Sequence, residues 1–344
     1  MTTIDIGIFA HNEAAGIGEM LRDLARQSVL RDDRYSVRVV VLANGCRDKT
    51  VAAARDAVAA FPDPAMVEVF DLAEGGKSRT WNRFVHDIAR ADVDMLAFMD
   101  ADIALPQQDV LARLAAFLHA HPGVDATSSQ PVKDIDYYPI PLGFVERLIS
   151  AGGGSMGNSR SSICGQLYVM RGAVARRLRV PIGLPVEDGF VRHALITGRF
   201  ADPIRYDRID QPDGVMHLYA SERRLGSLIR HQIRIVVGGA INAAVFGHII
   251  PLRARDGEEA LSAQLDQAAR DPNWLPALLR RELPRARFGW VPWPFLTYRT
   301  TYFLKNGPYT PRKTLMAVVG LGFDGLAFMA AQIRLARGKG AGFW

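Results

Sequence analysis

A chain of 344 residues that is 49% hydrophobic and 23% charged excludes a disordered tract, a collagen-like repeat and a coiled coil, and has room for two domains of about 150 residues each. Only Cys46 and Cys164 occur, with no Cys-x-x-Cys pair and no neighbouring His cluster, which excludes a disulfide scaffold and a structural zinc site. The net charge of +6 is uneven: residues 1–220 hold 24 basic and 28 acidic side chains, whereas residues 221–344 hold 18 and 8, so the last third is +10 and suits a polyanionic surface, lipid or nucleic acid.

The first thirteen residues, MTTIDIGIFAHNE, carry no basic stretch ahead of an apolar one. They read as a buried strand rather than a signal peptide, and a cytoplasmic location is expected. Residues 4–10 predict that first strand, and Ile17, Met20, Leu21 and Leu24 follow at helical spacing. Strands are then predicted over 37–43, 66–70 and 95–99, with helices over 49–60, 78–91 and 107–120. Strands apolar on both faces that alternate with helices imply an α/β fold, a mostly parallel sheet covered on both sides. Ligands bind such sheets beyond the C-terminal strand ends, here just after Phe9, Leu42, Phe70 and Met99.

Beyond residue 131 the pattern loosens. Residues 151–162 are Gly/Ser-rich and predict a mobile loop, 163–170 a strand and 186–197 a helix. The division expected is a catalytic unit over 1–220 and a basic, apolar, mainly helical region over 221–344. Within the latter, residues 235–252 and 314–333 are apolar, but Asp324 sits in the middle of the second. An acid at a bilayer centre costs several kcal/mol, so core or interfacial helices are expected rather than spans. Arg230, His231 and Arg234 precede the first stretch, and Arg334, Arg337 and Lys339 follow the second, which suits helices at an anionic headgroup layer. Trp290 and Trp293 lie in the basic third without any nucleic-acid signature, so no nucleic-acid partner is expected.

Polar clusters fall at the predicted strand ends. His11-Asn12-Glu13 follows the first strand, and Asn44-Gly45-Cys46-Arg47-Asp48 follows the second. Each can be turn and cap chemistry, with Asp48 as an N-cap; together they supply amides and carboxylates suited to a nucleobase and ribose. Glu74-Gly75-Gly76-Lys77-Ser78 resembles a phosphate loop, but its first glycine position is Asp71, which excludes an NTPase loop. Lys77 at a helix start still suits a phosphate or its neighbour. Asp100-Ala101-Asp102 places two acids on one side of the chain at the sheet rim, where Mg2+ or Mn2+ plus diphosphate oxygens would relieve their repulsion. Glu187-Asp188 opens the 186–197 helix, either as helix-dipole partners or as a general base for an acceptor hydroxyl. Arg230 and Arg234 could neutralise a diphosphate or face lipid, and His217 could be a third metal ligand or a packed core residue.

The ordered set HNE, NGCRDKT, GGKSRTWN, DAD, GQLYVMRG and VEDGF, across residues 4–240, resembles the family-2 glycosyltransferases of the GT-A fold. The resemblance implies an inverting transferase that uses a nucleoside-diphosphate sugar. It implies nucleotide contacts at His11, Asn12, Glu13, Asn44 and Asp48, with Lys77 near the base or phosphates. It further implies a divalent metal and diphosphate at Asp100 and Asp102, a catalytic base at Asp188, and Glu187 as its orienting neighbour. Ala43 stands where the family usually has an acid. Of the family's Gln-x-x-Arg-Trp signature only Arg234 survives, with His231 and Ile235 at the other two positions, so a single, non-processive transfer is expected. The acceptor expected is a lipid or glycolipid at the inner face of the cell membrane. Two alternatives stay open from sequence: a nucleotidyltransferase on a similar sheet, and a non-catalytic membrane or nucleic-acid adaptor.

Overall fold

The computed structural model describes residues 1–138, 141, 143, 160–283, 289–306 and 310–340; most of the predicted Gly/Ser-rich loop lies outside them. The chain alternates strand and helix as its apolar periods require: β1 (Thr2–Ala10), α1 (Ile17–Ala25), β2 (Tyr35–Asn44), α2 (Thr50–Ala57), β3 (Val67–Leu72), α3 (Lys77–Arg83), β4 (Met95–Asp100), β5 (Ile103–Ala104) and α4 (Val110–Ala120). There follow β6 (Ala126–Ser128), β7 (Gln130–Lys133), β8 (Leu167–Arg171), α5 (Glu187–Ile196), β9 (Ile209–Asp210) and β10 (Met216–Tyr219). One sheet has the order β3-β2-β1-β4-β8-β6-β9, and a small second sheet has the order β5-β10-β7.

β1 is central and parallel to both β2 and β4, and β3 is parallel to β2. Burial on both faces is visible residue by residue. Ile4, Ile6 and Ile8, with Val39 and Val41, join α1 and α4 on one side, while Phe9, Val40, Leu42, Leu96 and Phe98 face the other. Gly7 is forced by close approach, since a Cβ there would lie 2.7 Å from the Phe84 ring.

Three sequence expectations shift. The strand expected over 163–170 is β8, and it runs antiparallel to β4. The helix expected over 107–120 starts only at Val110. The carbonyls of Gln107 and Gln108 accept instead from Gln27 Nε2 and the Ser28 amide, both at 2.7 Å, and are not free to open a helix. The helix expected over 78–91 is α3 followed by a π-helical turn, Phe84–Ile88.

The C-terminal region is helical: α6 (Leu225–Ala268), α7 (Trp274–Glu282), α8 (Pro294–Asn306) and α9 (Pro311–Ala336). α6 is broken at Gly257, whose φ of 85° no helix holds. By length and composition α6 and α9 could each cross a membrane. Yet the core that holds Trp81, Phe98 and Phe190 continues without a seam through Val236, Ile241 and Val245 of α6 to Phe328 and Ala331 of α9. The boundary expected at residue 220 therefore falls inside one shared core. Asp324 is 3% exposed and faces α8, where Arg299 Nε lies 3.2 Å from its Oδ2.

Candidate active site at the strand ends

Four chain segments meet beyond the C-terminal end of β4. Because β8 is antiparallel, its start adjoins the end of β4, and the Asp100 amide donates to the Gln166 carbonyl at 2.9 Å. An aromatic pile supports this junction: Trp81, Phe98 and Tyr168 stack at 5.4 and 4.6 Å, and Trp81 Nε1 donates to Tyr168 Oη at 2.8 Å. At the top stands the Lys77 ammonium. It lies 2.6 Å from Asp100 Oδ1 and 3.3 Å from Glu187 Oε1, and it donates to the Gly165 carbonyl at 3.1 Å. One lysine thus ties the Asp-x-Asp acid of β4 to the first turn of α5 and to the approach to β8.

Burial pulls the Lys77 ammonium down, but the carboxylates of Asp100, Glu187 and Asp188 outweigh it and hold the group above its ordinary value. Burial pushes the Asp100 carboxyl up to about 7; Lys77 draws it down and the charge of Asp102 raises it. Asp188 is pushed up to about 6, by burial and then by the adjacent Glu187. Its Oδ1 accepts from the Gly189 amide at 2.8 Å. Gly165 packs on the same carboxyl: a Cβ there would lie 2.7 Å from Asp188 Oδ2, so only glycine lets the chain pass.

The turns after β1 and β2 interlock. His11 Nδ1 lies 2.7 Å from the Asn44 carbonyl, and Asn12, at φ 58°, accepts the Arg47 amide at 2.8 Å. Glu13 is held above its usual carboxylate range by burial and by the charges of Asp102 and Asp48. Asn44 requires a correction. It is buried and both ends of its amide are engaged, Nδ2 on the Ala10 carbonyl at 3.1 Å and Oδ1 on the Gly76 amide at 3.0 Å. It fastens the turn after β2 to the end of β1 and to the start of α3, and its amide does not face an open surface. Asp48 likewise ties the turns together, its Oδ1 accepting from the Thr50 amide at 3.0 Å and its Oδ2 from Ala14 at 3.1 Å.

His217 requires a second correction. On β10 it is fully buried, with Nδ1 2.7 Å from Ser129 Oγ and Nε2 3.2 Å from Gln166 Oε1, and burial drives its pKa down to about 3. Both ring nitrogens have protein partners, so the ring is a packed core residue and not a third ligand. Among the described residues no three His, Cys, Asp or Glu side chains converge on one point. Asp100 and Asp102 still suit a hard divalent cation that takes its remaining oxygens from a bound diphosphate, because Asp102 raises Asp100 and Glu13 alike and a cation would relieve all three.

Arg230, His231 and Arg234 lie on α6 and line, with Glu222 and Ser227, a cavity of about 270 Å³. One turn further along, α6 touches the mouth of α5: Asn242 Nδ2 donates to the Val186 carbonyl at 2.9 Å, and a Cβ on Gly238 would lie 2.3 Å from Val186 Cγ2. Arg234 is therefore the nearer of the two arginines to Glu187 and Asp188 along the helix. Gly165, Gln166 and Tyr168 lie in the GQLYVMRG segment, which has no expected site role from sequence, and the antiparallel return of β8 brings them here.

Residues 5–164 match the family described as glycosyl transferase family 2. A mannosyltransferase from Pyrobaculum calidifontis, solved in complex with GDP-Man and Mn2+, is similar at 20% identity over 95% of this chain and 86% of that one, with a TM-score of 0.57. S. aureus TarS 1–349 is similar at 16% identity over 97% and 83%, with a TM-score of 0.49. Glucosyl-3-phosphoglycerate synthase from Mycobacterium tuberculosis, in complex with phosphoglyceric acid, is similar at 19% identity over 70% and 78%, with a TM-score of 0.45. At such identities a likeness is one of fold, which is the GT-A arrangement of a mostly parallel sheet with helices on both faces and a helical C-terminal region. No curated protein matches the chain in sequence.

Proposed function

We propose that the protein, whose residues 5–164 match glycosyl transferase family 2 and whose fold is GT-A, transfers one sugar from a nucleoside-diphosphate sugar to an acceptor hydroxyl, with inversion at the anomeric carbon. The observation that carries the reading is the Lys77 bridge, which brings the Asp-x-Asp acid and the Glu187-Asp188 pair into one crevice at the strand ends.

In this reading the interlocked turns of His11, Asn12 and Glu13 receive the base and ribose, with Asn44 and Asp48 fixing their shape. Asp102, at the exposed lip, and Asp100 behind it face the diphosphate. A divalent cation bound there would neutralise charge on the departing diphosphate. Arg234, with Arg230 beyond it, adds fixed positive charge on the same side. Asp188 takes the proton of the acceptor hydroxyl as the acceptor oxygen closes on the anomeric carbon and the bond to the diphosphate breaks. A carboxylate whose pKa stands near 6 is ionised at neutral pH and is a stronger base than an ordinary aspartate. Glu187, paired with Lys77, holds the first turn of α5 in place.

The +10 charge of residues 221–344 and their apolar helices favour a lipid-linked acceptor, met on the cytoplasmic face of a membrane by a single transfer. Titrating GDP- and UDP-sugars with and without Mn2+, followed by thermal shift and by the anomeric configuration of the product, tests the proposal. Mn2+-enhanced stabilisation by one donor and an inverted product are expected. No response to any donor, or a response to nucleoside triphosphates instead, overturns it.

A further inference from the structure

Along α9, Leu315, Val318, Val319, Leu326, Met329 and Ile333 are all exposed, and their spacing puts them on one face. The stripe runs from Leu315 to Ile333, 18 steps along the helix or about 27 Å at 1.5 Å per residue. The opposite face holds Asp324, Ala327, Phe328, Ala331 and Leu335, all buried. So the helix is apolar on both sides, but the protein covers only one. Exposed apolar faces of this extent mark interaction sites.

Charge identifies what covers the bare face. Lys313 is exposed at the start of the stripe, and Arg334, Arg337 and Lys339 are exposed at its end. The single acid of α9, Asp324, is turned inward. A second copy of the chain would set cationic ends against cationic ends whether the helices ran parallel or antiparallel. An anionic bilayer accepts the apolar stripe among its acyl chains and the cations among its headgroups.

The geometry points to α9 as an in-plane docking helix for an anionic lipid bilayer. It lies on the membrane and does not span it, because Gln332, bonded to the Trp290 and Val291 amides at 2.9 and 3.1 Å, staples its inner face to the body of the protein. The far end of the helix is close to the chemistry. A Cβ on Gly340 would lie 3.1 Å from Val237 Cγ1, and the next residue, Gly238, packs on Val186 at the mouth of α5. One helix separates the docked end from Asp188. The inference rests on the proposed transferase for its use and on α9 alone for the binding.

The test is co-sedimentation of the full chain with vesicles of phosphatidylcholine, with and without phosphatidylglycerol. The wild-type chain is expected to bind the mixed vesicles, less so the neutral ones, and to be weakened by salt. The V318E/L326E double variant is expected to lose about tenfold or more in binding to both. R334E/R337E/K339E is expected to lose binding to the anionic vesicles only. An unchanged thermal-shift response to the sugar nucleotide shows that each variant keeps its fold. Equal sedimentation of wild type and V318E/L326E overturns the inference. So does a dimer in solution that the double variant splits while neither form binds vesicles. Vesicle binding without any response to sugar nucleotides upholds the docking helix and sinks the transferase.

Discussion

Lys77 is the side chain on which the crevice depends, because it sits between two carboxylates that would otherwise face each other across a poorly solvated gap. Replacing it by methionine leaves Asp100 and Glu187 without their counter-charge; removal of one member of such a pair costs about 3–5 kcal/mol. K77M is expected to lower the urea midpoint by a corresponding amount and to abolish transfer. Asp188→Asn is a different kind of loss: transfer should fall by about 10²–10⁴-fold while donor affinity stays near wild type, read from kcat against the thermal shift with donor. The sign of the pH effect follows from the same carboxyl. A base acts when ionised, so kcat/KM should fall as pH drops through about 6, and a flat profile from pH 8 to 5 would remove Asp188 from that role. That Asp100, Asp102 and Asp188 stand at strand and helix ends was legible in the sequence from the apolar runs beside them. The partners of Lys77 were not, since they lie 23 and 110 positions away. Sequence leaves His217 open between a ligand and a packed core residue, and the bare identity of Asn44 does not tell that it is buried with both ends of its amide engaged.

β8 and α3 together form the floor of the site, and the hydrogen bond between Trp81 and Tyr168 joins them. Tyr168→Phe keeps the ring stack but leaves the buried indole N–H unpaired, for an expected loss of about 1–3 kcal/mol. The urea midpoint measures it, and an unchanged midpoint would mean that the stack alone suffices. The three parallel pairs around β1 could be read from sequence, because runs such as VRVVVLA are apolar on both faces. The direction of β8 could not. A central strand buried on both sides shows the same apolar run whichever way it points, and only its register against β4 decides.

For the molecule as a whole, the C-terminal helices complete the hydrophobic core behind α5. Phe246 of α6 lies 6.0 Å from the ring of Phe190 and 4.3 Å from that of His193, both on α5, which also carries the proposed base. Residues 1–220 expressed alone are therefore expected to be insoluble or to bind a hydrophobic dye, whereas the full chain is not; a soluble, cooperatively unfolding fragment would show two independent cores instead. The fold class followed from alternating periods, but the join between the halves did not. Apolar helices look alike in sequence whether they are covered by protein or left bare.

Two unlike sides on α9 bear on how the protein should be handled at the bench. Deleting the helix to gain solubility would strip Val237 and Ile241 and loosen the wall behind α5. Repainting its outer side with glutamine and lysine, with every inward residue left alone, should yield a detergent-free protein with an unchanged unfolding midpoint.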